Sequence, residues 1–178
     1  VAAEDRIVPE SLRLHEIKVH VTGFFTTHHY FDTPAGNWGE FTFPSFSDQG
    51  TFRRGVGREL VMRKVHWLGT AHEMLDGSAV RSSADRPGFL SRDLIIDFDA
   101  QQYRLQPEGT LKDGWFLTDA ADTRLLELRP RGIFREGAYL TITGPLEEDL
   151  VAFAYYLVHT RGQEEAAAAA ATTAASAS

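Results

Sequence analysis

The chain has 178 residues, no cysteine, and a net charge of −7 from 25 acidic and 18 basic residues. That length favours one domain with a proper core, burying roughly two-thirds of its unfolded surface. The lack of thiols excludes disulfides, thiolate metal sites and a cysteine nucleophile and fits a cytoplasmic location, while the acidic balance argues against nucleic-acid binding.

Residues 1–14 read as an N-terminal leader. VAAEDRIVPESL has no basic stretch followed by an apolar one, so it is not a secretory signal. The first strand signal follows, where Ile17, Val19 and Val21 alternate with Lys18, His20 and Thr22. Aromatic residues then cluster at Phe24, Phe25, Tyr30, Phe31, Trp38, Phe41, Phe43, Phe46 and Phe52. They are read as the wall of a β core, with an apolar ligand cleft as the alternative.

The segment RRGVGRELVMRK at 53–64 holds five bases and one acid, a local excess of +4 in an acidic protein. Arg53, Arg54, Arg58, Arg63 and Lys64 are therefore the candidates for holding a phosphate or an anionic lipid headgroup. The competing reading is a solvated charged face. On a strand over 58–65, Arg63 and Lys64 face opposite ways, so only Arg53, Arg54 and Arg58 gather at one loop.

Downstream, apolar runs repeatedly end in an aspartate, a turn and a second strand, at Asp32, Asp76, Asp99 and Asp119. Aspartate caps turn backbone and tolerates unusual dihedrals, so these four are read as structural. Leu94, Ile96 and Phe98 share one face, as do Ala138, Leu140 and Ile142. The last element is a helix over 146–161. Pro145 precedes it, acids occupy its first turn, and Arg161-Gly162 mark its end. Its centre, LVAFAYYLV at 150–158, is apolar on every side and must be enclosed on every side. Nine residues are too few for a membrane span, which needs about 20. Residues 163–178 form an Ala-rich tail, read as a frayed helical extension or a disordered end.

Ten to twelve short strands and one wholly apolar helix point to a mainly β protein. A closed antiparallel barrel around the buried helix satisfies both the strand edges and the helix. The phrases HEMLDG, IIDFDAQQYRL and FLTDAADTRLLELRPRG, then GAYLTIT and LEEDLVAFAYYLV, resemble the tubby C-terminal-like superfamily of tubby domains, phospholipid scramblases and LURP-one-related proteins. The style is nearest to small prokaryotic members of unknown function. The resemblance covers roughly residues 15–161 and implies a barrel of about twelve strands around a central C-terminal helix. It also implies a non-enzymatic binding or scaffold module for anionic phospholipid or protein, cytoplasmic and at most peripheral to a membrane.

Catalytic and metal patterns are sparse. There is no Gly-x-Ser-x-Gly elbow, Walker loop or dinucleotide fingerprint. His28 and Asp32 share a strand face and are the candidate metal ligands, although the chain is read as holding no metal and no cofactor. The competing architecture is a helix-grip fold, acting as a carrier or enzyme for a small hydrophobic ligand. It requires a pocket beside Phe153, Tyr156 and Leu157.

Overall fold

The computed structural model describes residues 16–176, apart from Phe46, Val56, Phe89, 110–113 and 132–136; the expected leader lies outside these residues. Twelve strands precede one helix: β1 (Glu16–Thr22), β2 (Thr26–Thr33), β3 (Gly36–Pro44), β4 (Gly50–Arg54), β5 (Arg58–Lys64), β6 (His72–Asp76), β7 (Ala79–Asp85), β8 (Leu94–Phe98), β9 (Gln101–Pro107), β10 (Trp115–Thr118), β11 (Arg124–Pro130), β12 (Ala138–Ile142) and α1 (Glu148–Ser176). Every strand pairs antiparallel with its sequence neighbours, and β1 pairs with β12, so the sheet closes into a barrel. Closure leaves no unpaired edge.

The alternation in the sequence decides which side chains enter the lumen. Ile17, Val19, Phe31, Phe41, Phe43, Phe52, Leu60 and Met62 are all buried, as are the inward residues of β8 and β12. α1 fills the lumen, and every residue from Asp149 to Gly162 is buried. A helix that meets strands on all sides has no polar face to show, which explains its uninterrupted apolar run.

The helix differs from the expected 146–161 at both ends. It begins at Glu148 because the Glu147 carbonyl accepts the first bonds, from the Leu150 and Val151 amides. It also runs on through Gly162 to Ser176. Two effects carry it past the glycine. Glu164 bonds Lys64 at 2.7 Å and Arg161 at 3.2 Å, anchoring the next turn, and the alanines that follow have the highest helix propensity.

The hairpin aspartates behave as expected at two turns. Asp119 Oδ1 accepts bonds from the Ala121 and Thr123 amides, both at 2.9 Å. Asp99 and Ala100 are left-handed, with φ of 45° and 59°, which closes the β8–β9 hairpin in two residues. Among the aromatics, Phe24 and Phe25 depart from the wall assignment and stand exposed. They sit in the β1–β2 turn, outside the strands whose alternation would aim them inward. Phe46 lies outside the described residues.

Gly137 guards the seam that closes the barrel. Its φ is +101°, and a Cβ there would overlap the backbone carbonyl of Val19. Val19 is the Cα partner of Ala138 across the β1–β12 pair. Gly137→Ala should therefore lower stability by about 3 kcal/mol, measured by denaturant unfolding. An unchanged midpoint would show that the seam yields without cost.

Candidate functional site

Alternating antiparallel strands sort the loops to two mouths. The β2–β3, β4–β5, β6–β7, β8–β9 and β10–β11 turns surround the entering N-terminus of α1, and the other six loops surround the end where α1 leaves.

This sorting divides the basic segment. Arg54 and Arg58 are Cα partners at the entry mouth. Arg54 pairs with Glu148, and Arg58 pairs with Asp76 at 2.8 Å and Asp149 at 3.1 Å. Arg53 lies on the outer wall, bound to Glu59 at 2.6 Å, and Arg63 lies there too, bound to Glu73 at 2.6 Å. Lys64 points to the opposite mouth and meets Glu164 at 2.7 Å. Arg53 thus leaves the expected trio, because side chains alternate and it turns outward where Arg54 turns to the rim. All five bases have carboxylate partners that lie far apart in sequence or across a strand pair, which the net charge of the segment does not reveal.

Arg81, which the sequence reading passed over, completes the entry mouth. It bonds Asp149 at 3.2 Å and Asp99 at 3.5 Å. The first-turn carboxylates of α1, Glu148 and Asp149, therefore sit between the helix dipole and three guanidinium groups, all favourable to negative charge. Two cavities flank Arg54. One of about 400 Å³ is lined by Ile17, Trp38, Arg54 and Glu148, and one of about 240 Å³ by Phe52, Arg58 and Asp149.

The metal candidates share the outer face but take different partners. His28 bonds Glu40 at 2.6 Å, while Asp32 bonds His20 at 2.9 Å. Tyr30 stacks between His20 and His28. Among the described residues, no group of three or more His, Asp or Glu side chains could hold a metal ion.

Three other histidines form a buried polar layer below the exit mouth. His29 Nδ1 lies 2.6 Å from the Tyr155 hydroxyl, and its ring packs edge-on against His159. His72 Nδ1 lies 3.3 Å from the Tyr156 hydroxyl, which donates to the Asp48 carbonyl at 2.6 Å. Both tyrosine hydroxyls thus find the partners that burial demands. Desolvation, with His159 and His28 nearby, lowers the His29 pKa to about 3. Burial lowers His72 and His159 to about 4. The sequence signal for this layer was available: His29 falls on the same strand face as Phe31, and His159 follows the apolar run of α1.

Comparison with known proteins gives a likeness of shape. No family model matches the chain, and no curated protein matches it in sequence. An X-ray structure of a protein from Arabidopsis thaliana aligns with a TM-score of 0.58 at 11% identity, covering 83% of this chain and 90% of that one. At that identity, what the two chains share is the fold.

Proposed function

We propose that this chain is a non-enzymatic binding or scaffold barrel of the tubby-like kind, working at its surface and not in its lumen. The observation that carries this reading is that the chain plugs its own barrel. Phe153, Tyr156 and Leu157 are fully buried. The space beside Tyr155, Val158 and His159 measures about 10 Å³, against the several hundred Å³ that a small-molecule site needs. The cavities of about 400 and 240 Å³ lie at the entry mouth and touch α1 only at Glu148 and Asp149; they do not reach Phe153, Tyr156 or Leu157, where a helix-grip carrier or enzyme needs its chamber.

The tubby-like assignment is supported by the twelve-strand barrel, its C-terminal helix and the order of the hairpin phrases. Arg54 and Arg58 border open cavities, so phosphate or an anionic headgroup has access to them. It must first displace Glu148, Asp76 or Asp149, which makes contact weak and salt-sensitive.

Native mass spectrometry of the untagged protein from its own host tests the main claim. The expected result is a chain free of any small organic molecule. A stoichiometric apolar ligand would overturn it. Pelleting with anionic vesicles, read as the excess over neutral ones, tests the headgroup contact, which should fade by about 0.15 M salt and disappear in Arg54→Ala/Arg58→Ala.

A further inference from the structure

We infer that the helix-exit mouth is a docking end for a lipid bilayer, reaching shallowly into one leaflet. The inference rests on the reading that the barrel binds at its surface, and it names the partner.

Exposed apolar side chains are not scattered over this molecule. Of the seven large ones among the described residues, six lie on exit-mouth loops. Phe24 and Phe25 form the tip of the β1–β2 turn, packed edge to face at 5.2 Å. Trp67 and Leu68 cap a turn closed by the Gly69 amide on the His66 carbonyl at 2.9 Å. Leu90 projects from the β7–β8 loop. These five are between 75% and 91% exposed. Aromatic and leucine side chains on separate tips are costly in water and suited to the headgroup–acyl boundary.

Charge points the same end at the bilayer. The entry-mouth segments (16–17, 33–36, 54–58, 76–79, 98–101, 118–124 and 142–149), with Arg81, carry eight carboxylates and four guanidinium groups. The described residues of the exit-mouth loops and the strand ends beside them, with 159–165 of the helix, carry six acids and five bases. The net field of the entry mouth therefore opposes an extended anionic surface, which keeps any headgroup contact at Arg54 and Arg58 weak, whereas the exit mouth is nearly neutral toward such a surface.

The helix that leaves through this ring fits the same environment. From Ala166 to Ala175 it has no charged side chain. Thr172 and Thr173 donate their hydroxyls to the Ala168 and Ala169 carbonyls, both at 3.0 Å, so these polar groups are already satisfied. The carboxylates at its base are matched as well. Glu164 meets Lys64 and Arg86, and Glu165 meets Arg92 and Arg161. Ten helical residues span about 15 Å, half of a hydrocarbon core. No helix among the described residues is long and apolar enough to cross a membrane. A rigid protein partner would need one continuous complementary face. Separate tips around a central rod suit a fluid one.

Sedimentation of the full chain with phosphatidylcholine vesicles tests this. Binding should persist from about 0.1 M to about 0.5 M salt, because it does not rest on charge. Phe24→Ser/Phe25→Ser/Trp67→Ser/Leu68→Ser should weaken it by about tenfold or more with an unchanged melting temperature. Val80→Ser, which removes an exposed apolar side chain from the wall, should leave it unaltered. Absence of binding to neutral vesicles, or equal binding by the tip variant, would overturn the inference. So would binding confined to anionic vesicles and lost in Arg54→Ala/Arg58→Ala, which leaves the surface-binding reading standing. Self-association abolished by the tip substitutions, without vesicle binding, would assign the tips to a second copy of the chain and also overturn it. A ligand retained in the lumen in the mass measurement would instead remove the broader reading.

Discussion

Acidification to about pH 4.5 should unfold the barrel. His29 has a pKa of about 3, and His72 and His159 of about 4, against 6.5 for an exposed histidine. Between those values the unfolded chain holds protons that the folded chain refuses, so stability falls as pH drops below about 6.5. At pH 4.5 each histidine contributes a loss of between about 2 and 3 kcal/mol, and the three together about 8 kcal/mol. That is comparable with the whole stability of a typical domain, about 5–15 kcal/mol. The His29 and His159 rings lie 4.7 Å apart, so charging both at once is opposed further. Circular dichroism against pH should show a cooperative transition near pH 5. His159→Gln should flatten that dependence, whatever it costs at neutral pH. A fold that survives pH 4 intact would show that these rings ionise in place.

The second large effect is expected at the centre of the plug. Phe153 is fully buried, stacked 6.2 Å from the Tyr156 ring. Phe153→Ala removes a ring at a position enclosed by strands on every side, where the surroundings can relax little. The cost should be about 3–5 kcal/mol, read from the shift in denaturant midpoint. Phe153→Leu, which keeps most of the volume, should cost less than about 1.5 kcal/mol. The alanine variant should also gain affinity for a small aromatic probe, as dry apolar cavities do. Equal stability of the two variants would mean that the helix is looser in its barrel than its burial implies.

The architecture was legible because its physics is local and periodic. Alternation at Leu94, Ile96 and Phe98 names an inward face, and nine uncharged residues in α1 name an enclosed helix. Closure was legible as an inference from the helix, which needs walls all round. The exposed position of Phe24 and Phe25 was not, because composition assigns aromatics to a core, and only turn geometry says which ones miss it. The alanine content offered a helical extension past Gly162, but its anchor stayed hidden for a related reason: Lys64 is distant in sequence and adjacent only after folding. The basic segment misled most. Its charge is a sum over five side chains, whereas binding depends on where each one points and on what already sits beside it. Arg53 on the wall, Arg54 on one rim and Lys64 at the other share a sequence window and little else.

The pairing of β1 with β12 ties the start of the chain to its end, and the plug comes after both. On the ribosome, eleven strands must emerge before β12, the strand that closes the barrel on β1, and the helix that fills the lumen emerges after all twelve. Until then the nascent sheet has two free edges and an empty, apolar concave face, the features that invite aggregation. Long-range closure of this kind is slow relative to helix or hairpin formation. Closure of this barrel thus waits until both β12 and α1 have been made, and termination before α1 would leave a hollow sheet for the cell's chaperones and proteases to handle.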